Sequence, residues 1–405
     1  MTKLEAAVIG AGPTGLVTAL ALARMGIEVA LVGPAADGEG PPDQRTTALV
    51  GPSIQLLRNL GVWEADRNGL APHAAPLGAV RIADDRSGLI RAPEALFRAS
   101  EMGLESFGAN IANPLLLAGL RKAAEGARGL VRVETAGVAA LAPGAASVRL
   151  ELAEGGTVEA ALAVAADGRN SLTRKAAGIG ASTWAYPQAA LVTRFAHTRP
   201  HGGIVNELHR DSGPLTSVPL PGETSALVWV EEPAAAQRLA DLDDRAFAAL
   251  LEEHLQGVLG VVSEPAPRAL HRLSGLRAHS MTGPRVALVG EAAHVVPPVG
   301  AQGLNLGLRD AAQLADCVAE ARAGGGDIGG PAALAAYARS RAWDVLGRSV
   351  SIDLLNRSLL TDLVPVDMLR GLAAHLAVSF APLRRYLMQE GMGLAGPLPS
   401  LMREG

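Results

Sequence analysis

Leu4-Glu-Ala-Ala-Val-Ile9, then Gly10-Ala-Gly-Pro-Thr-Gly15, then Leu16 to Arg24 is the stretch of sequence that decides the fold. Residues 4 to 9 read as a short buried strand, the glycine-rich segment as a turn, and the Ala/Leu-rich run Leu16 to Arg24 as a helix closed by Gly26. Ile27 to Val32 returns as a second strand, completing a βαβ unit that should cross over right-handedly into a parallel sheet. In that setting the glycines match a dinucleotide fingerprint. Gly10 permits the tight turn, Gly12 lets backbone approach a pyrophosphate, and Gly15 lets helix pack on strand. Pro13 and Thr14 complete the motif, and the helix beyond offers phosphates its unpaired N–H groups and the positive end of its dipole. An ordinary glycine turn is the bland alternative, and the strand-turn-helix context argues against it. The fingerprint also calls for an acid at the end of the second strand to accept from a ribose, yet the strand ends Val32-Gly33-Pro34. Asp37 and Glu39 in the following loop are the substitutes on offer, or else plain solvated loop charges.

Two later stretches carry the same kind of signal. Ala165-Ala-Asp167-Gly168-Arg169-Asn-Ser171, with Arg174 a helical turn later, reads as a strand entering a cofactor-facing turn, or as an Asp-Gly turn that merely caps a helix. Val286 to Gly290, Glu291, His294, Pro297-Pro298 and then Gln302-Gly303-Leu304-Asn305-Leu306-Gly307-Leu308-Arg309-Asp310 is the strongest of the three. Here a buried strand ends in an acid, Glu291, placed to bind cofactor hydroxyls. A glycine-rich turn then opens a long helix whose N-terminus can stabilise negative charge on a reduced ring system. His294 reads as a core or capping residue without a proton-transfer role.

The composition narrows the class of partner. At 405 residues the chain exceeds the size at which one core usually keeps growing, so two or three interleaved lobes are expected, and 49% apolar residues suffice to fill them. A net charge of -4 with no basic stripe gives no case for nucleic acid, leaving small molecules. The single cysteine, Cys317, excludes an intramolecular disulfide and a thiolate metal cluster and fits a reducing compartment. None of the nine histidines is spaced with carboxylates as a metal site. The N-terminus lacks the pattern of a signal peptide, so a cytoplasmic location is expected. No stretch reaches the roughly 20 uninterrupted apolar residues of a membrane span, although the C-terminal third is apolar enough to lie against a bilayer.

Along the rest of the chain, Ser53 to Leu60 and Pro114 to Glu125 read as helices, and residues 72 to 98 as short strands and turns. Three β-rich runs between 130 and 165, parted by Pro143-Gly144 and Glu154-Gly155-Gly156, suggest a small antiparallel meander. Residues 181 to 275 alternate like a separate substrate-side sheet, with a turn at Pro219 to Gly222 and a helix from Asp243 to Leu259. After strand 285 to 289 the chain reads as helical through residue 395, with a break at Gly324-Gly325-Gly326.

Taken in this order and spacing, the three glycine-bearing segments resemble the flavin-dependent aromatic hydroxylases, the single-component monooxygenases of the para-hydroxybenzoate hydroxylase fold. Within that class the sequence is most similar to the ubiquinone-biosynthesis hydroxylases. The closer match rests on Arg45-Thr46-Thr47-Ala48-Leu49 with Ser53 and Leu60-Gly61-Val62-Trp63, on Gly108 through Asn113, on Gln302 to Asp310, on Tyr337 to Asp344, and on Leu369-Arg370-Gly371 through Gly391-Met392-Gly393. It covers nearly the whole chain. Glu291 stands where most members carry Asp, Ala301 replaces the glycine before Gln302, and Gly33 replaces the ribose acid.

The resemblance implies an α/β protein: a Rossmann-like FAD-binding domain from 1–72, 105–180 and 276–330, an interleaved β-sheet substrate domain from 73–104 and 181–275, and a helical C-terminus from 331–405. It implies FAD as cofactor, held by Gly10, Gly12, Pro13, Thr14, Gly15, Arg45, Asn113, Asp167, Gly168, Glu291, Pro298, Gln302, Gly303, Leu304 and Asn305, with NAD(P)H as reducing co-substrate. One oxygen atom of O₂ would then pass to an aromatic substrate. The first expectation for that substrate is a lipophilic polyprenylated phenol, met at the membrane surface or in a biosynthetic complex by a chain that also has the option of a homodimer. Rival readings are a soluble aromatic or polyketide substrate, an oxygen-independent prenyl-chain reductase, and a flavin-bound scaffold.

Overall fold

The computed structural model describes residues 4–35, 43–64, 66, 69–86, 93–297, 302–359 (348–359 as backbone), 380–394 and 396–404. The expected βαβ unit is present as β1 (Leu4–Ile9), α1 (Pro13–Arg24) and β2 (Val29–Gly33), with β1 and β2 parallel. Helix α1 starts at Pro13, earlier than its apolar run suggests. Proline at the first helical position loses nothing, because that N–H has no intrahelical acceptor.

Around this unit the strands 286–288, 157–165, β1, β2 and 130–134 lie side by side, each parallel to its neighbour. Parallel strands need both faces covered, which explains why β2 is buried throughout and why Ala6 to Ile9 is wholly apolar. One face packs α1, helix Asn113–Gly126 and the long helix Gln302–Ala323 through Leu16, Leu20, Leu120, Leu308 and Ala312. Val138, Val148 and Leu150 of the meander cover the other. The antiparallel meander therefore holds only for 138–143, 148–152 and the start of 157–165. Strand 130–134 and residues 160–165 run parallel in the main sheet instead, buried between two layers.

The second, nine-stranded sheet joins 79–84 and 95–98 to the strands between 181 and 295. The union is made by strand 204–210 running parallel to 79–84. Leu191, Phe195 and Trp229 on one face pack under helices Pro233–Asp241 and Asp244–His254. The first of these helices is not foreshadowed in the sequence reading, and the second ends five residues short of the expected Leu259. Ala190 and Val230 face the other way with Tyr186 and Leu273. Helices Pro331–Leu359 and Ala381–Gly391 close the C-terminus, while the Leu369-Arg370-Gly371 part of the family resemblance lies outside the described residues.

Candidate cofactor and active site

Three turns far apart in sequence meet at the carboxyl edge of the parallel sheet. Gly10 has φ +114°, and its N–H donates to Val32 O at 2.8 Å. A Cβ on Gly10 would press on the Ala166 carbonyl, 2.6 Å from its carbon and 2.9 Å from Asp167 N. The two strands are tied at this level by Ala166 N donating to Ile9 O, also at 2.8 Å. A Cβ on Gly15 would press on Gly10 O and stand 3.2 Å from the Ala166 Cβ. Both glycines are thus demanded by backbone packing. Gly12 is different: a Cβ there meets nothing within 4 Å, so the space before the start of α1 is open.

The third motif arrives over Thr14. A Cβ on Gly290 would lie 3.0 Å from Thr14 Oγ1, and one on Gly307 2.9 Å from Thr14 Oγ1 and 3.1 Å from Gly290 Cα. Fingerprint helix, strand-end turn and long helix therefore touch at one threonine, with Val289 N donating to Ala165 O at 3.0 Å alongside. The N-terminal ends of α1 and of helix Gln302–Ala323 come together at this crossing.

Several of the expected site residues already have protein partners. Asp167 accepts from the Ser171 hydroxyl and, at 3.0 Å, from Thr173 N. It thereby supports Ser171, the N-cap of the short helix Leu172–Ala176, and accepts from that helix's first turn, the plainer of the two readings of Asp-Gly, while Gly168 supplies a positive φ of 79°. Asn305 accepts from Val50 N at 3.1 Å and donates to Ala48 O at 2.9 Å, which fastens strand Thr46–Val50 to the long helix. Asn113 accepts from Thr47 Oγ1 at 2.6 Å and donates to Asp43. Gln302 donates to Gly391 O at 3.1 Å, and Leu304 is partly buried against the core. Gly303 sits in the first turn of the helix. Pro298 and Ala301 lie outside the described residues, as do Asp37 and Glu39.

Charged side chains lie in front of these turns. Arg45 pairs bidentately with Asp43, at 2.8 and 2.9 Å. The Asp43 hydrogen bond raises the Arg45 pKa, while Arg45 outweighs burial and holds the Asp43 carboxyl below its usual range. Glu291 is half exposed and faces Arg169 at 3.7 Å. Across from them the second sheet presents the face bearing Ala190 and Val230, where Arg194 donates to Gln44 at 2.8 Å, and Arg169 reaches Ser274 of the same sheet at 3.3 Å. His271, the register partner of Ala190, is pushed down in pKa by burial and then by Arg45. An indentation lined by Arg210, Trp229, Glu231 and His254 lies on the opposite face of that sheet and takes no part. Asp43, Arg169 and His271 are additions to the sequence-based set. Only Arg169 had a local signal, its place beside Asp167-Gly168.

A buried charge network holds the arrangement from behind. Asp310 is 0% exposed and Arg341 1%. Arg341 Nε donates to Asp310 Oδ1 at 2.7 Å, and Gly290 N donates to Oδ2 at 2.9 Å. His294 Nε2 donates to the same Oδ2 at 2.6 Å, because an ionised carboxylate only accepts. Burial alone would raise the Asp310 carboxyl, but His294 and Arg341 hold it below the ordinary value. Tyr337 donates to Leu288 O at 2.8 Å, and Asp344 ties Arg341 to Arg309. The Tyr337 to Asp344 block of the family resemblance is thus a brace on strand 286–288 and on the turn after it that carries Glu291.

A dinucleotide cradle on a parallel sheet, faced by a second sheet and backed by a helical brace, defines a flavoprotein of the aromatic hydroxylase type. Residues 3–349 match the family model described as "FAD binding domain". The chain is 33% identical to "Ubiquinone hydroxylase UbiL" of Rhodospirillum rubrum over 98% of this chain and 92% of that protein. It is 28% identical to the "3-demethoxyubiquinol 3-hydroxylase" of Escherichia coli, covering 96% and 98%. Among solved structures, p-nitrophenol 4-monooxygenase PnpA from Pseudomonas putida superposes with a TM-score of 0.77 at 18% identity, over 98% and 99% of the two chains. The chain belongs to the ubiquinone-biosynthesis FAD-dependent hydroxylases, and it is an FAD-dependent monooxygenase.

Proposed function

We propose that this enzyme uses NAD(P)H and O₂ to hydroxylate the ring of a polyprenylated phenol on the way to ubiquinone, with FAD seated where the three turns converge. The observation that carries the seat is the contrast among the glycines. Gly10 and Gly15 cannot take a side chain because backbone fills that space, whereas Gly12 faces open space in front of a helix N-terminus. That is the fit a pyrophosphate requires. The substrate class is supported by similarity to the two hydroxylases over nearly their full lengths.

When bound, FAD supplies the electron transfer and oxygen activation that no side chain here can. The protein's own residues bind, orient and exclude water. In this reading Gly12, Pro13 and Thr14 present the first turn of α1 to the phosphates, and Glu291 accepts from cofactor hydroxyls. Gly303 and Leu304 bring the start of the long helix to the ring, where its dipole favours negative charge. Arg45 borders the ring through its pair with Asp43. Asp167, Gly168, Asn113, Gln302 and Asn305 act chiefly as positioning residues, since their side chains or backbone knit the turns together. The wall of Tyr186, Ala190, Val230 and Leu273, with Arg194 and His271 at its edge, is the surface offered to the aromatic substrate.

Trp343 at 82% exposure, Phe380 at 56% and Leu387 at 42% support contact with the surface of a membrane holding that substrate. Among the described residues no helix is long and apolar enough to cross one. The purified enzyme is expected to oxidise NADPH with matching O₂ uptake, to float with liposomes, and, when its gene is deleted, to leave a quinone precursor short of one hydroxyl. Turnover that proceeds without oxygen would defeat the hydroxylase reading, and full retention away from liposomes would defeat the membrane contact.

A further inference from the structure

Gly33 leaves the second strand without the acid that a dinucleotide fold uses to recognise ribose, and a side chain there would crowd the turn above it. A Cβ on Gly33 would stand 3.1 Å from Ala11 N and 3.2 Å from Ala11 Cβ, so the fingerprint turn lies tightly over this position. We propose that Glu134, one strand across, hydrogen-bonds the ribose hydroxyls of the adenosine half of FAD in place of an acid at position 33. The assignment rests on the FAD-binding reading above and concerns how this chain completes that site.

The register carries it. Strand 130–134 runs parallel to β2 with Glu134 directly opposite Gly33, both at the carboxyl edge of the sheet. Paired residues of parallel strands project to the same face, and alternate residues share it. Leu31 and Leu130, two and four positions back, both pack into the core that contains α1. Glu134 therefore projects on the α1 side, the side on which Gly33 has no side chain. Neighbouring strands lie about 4.8 Å apart, a gap that a glutamate side chain spans.

The surroundings hold the backbone and leave the carboxylate accessible. Thr135 N donates to Gly33 O at 3.0 Å, joining the two strand ends. Glu154, the next acid along this edge, is committed: it accepts from Thr135 Oγ1 at 2.5 Å and from Ala136 N at 2.7 Å. Glu134 itself is 61% exposed and meets Arg132 Nε at 3.4 Å, long for a hydrogen bond. Arg132 Nη2 donates to Pro34 O at 2.6 Å, so this arginine is a positioning residue that steers Glu134 toward the end of β2. An ionised carboxylate is an acceptor with two oxygens, and a ribose 2′,3′-diol presents two donors at matching spacing.

The test is titration of apo-protein with FAD and with FAD carrying a 2′-deoxyadenosine half, followed by quenching of flavin fluorescence, on wild type, Glu134→Ala and Glu134→Gln. Wild type is expected to bind FAD roughly tenfold or more tighter than the deoxy form, as suits a hydrogen bond to a charged group. Glu134→Ala should lose that discrimination and weaken FAD by a similar factor, with Glu134→Gln in between and the apo-protein melting temperature unchanged in both. Wild type that binds both flavins equally would overturn the assignment. So would a Glu134→Ala variant that keeps full discrimination, which would point to Asp37 or Glu39, or one that loses affinity for both flavins alike, which would indicate a structural role. Wild type that binds neither flavin would overturn the FAD reading itself, and the assignment with it.

Discussion

Asp310→Asn is expected to destabilise the folded protein by about 3 kcal/mol, the lower end of the cost of removing a partner from buried charge. Asp310 is wholly buried and is shared by Arg341, His294 and the Gly290 N–H. The asparagine keeps the shape but removes the negative charge, so the 1%-exposed Arg341 guanidinium is left with Asp344, which it shares with Arg309, as its counter-charge. Equilibrium urea unfolding checks this, with a midpoint shift at unchanged slope as the expected form. A change below 1 kcal/mol would show that the network contributes little. The pH dependence follows with its sign. The folded carboxyl lies below the ordinary aspartate value of 3.8, so its contribution is complete above that value and fades as pH falls through the lower folded pKa. Wild type should therefore lose stability in acid through this site, and Asp310→Asn should show a flatter acid limb.

Gly10→Ala is the second large effect, and it acts on backbone. At φ +114° an alanine is strained by about 1–3 kcal/mol, and its Cβ would also stand 2.6 Å from the Ala166 carbonyl carbon, an overpacking that typically costs another 1–3 kcal/mol. Relief requires β1 and strand 157–165 to part at the point where Ala166 N bonds Ile9 O. Because the same turn frames the space before α1, FAD affinity should fall at least a hundredfold, the equivalent of about 3 kcal/mol. Flavin retained through gel filtration, together with thermal melting of the apo-protein, reads both losses. A variant that melts like wild type would mean that the turn relaxes without parting the strands.

The turns were legible in the sequence because their chemistry is written in residue type: Gly10 and Gly15 have no substitute where backbone meets backbone. Helix Asn113–Gly126 was equally plain, announced by Pro114 and an apolar stripe. What escaped were the facts that depend on topology. Residues 130–134 alternate no differently in a parallel pair than in an antiparallel one, so their membership of the main sheet was hidden. Helix Pro233–Asp241 is nine residues of mostly small side chains, too short for its period to stand out. Asp310 closes a motif that marks a flavin site, yet the sequence does not say that Arg341, on another helix, would bury its charge against it. Asn305 and Asp167 show the same limit from the other side: the motif marks the neighbourhood correctly, while hydrogen bonds within the protein decide what each side chain does there.

Gly12→Val separates the ligand from the fold more sharply than any other change. Gly12 has φ −75° and ψ 176°, an extended conformation that valine adopts readily, and its Cβ direction is empty for 4 Å. The measurement is fluorescence titration of apo-protein with FAD, wild type against Gly12→Val, with the melting temperature of each apo-protein alongside. Wild type should take up one FAD per chain, and Gly12→Val should melt like wild-type apo-protein yet bind no FAD, because the valine stands where the pyrophosphate would lie. Equal FAD binding by both proteins, or none by wild type, would contradict the seat described here.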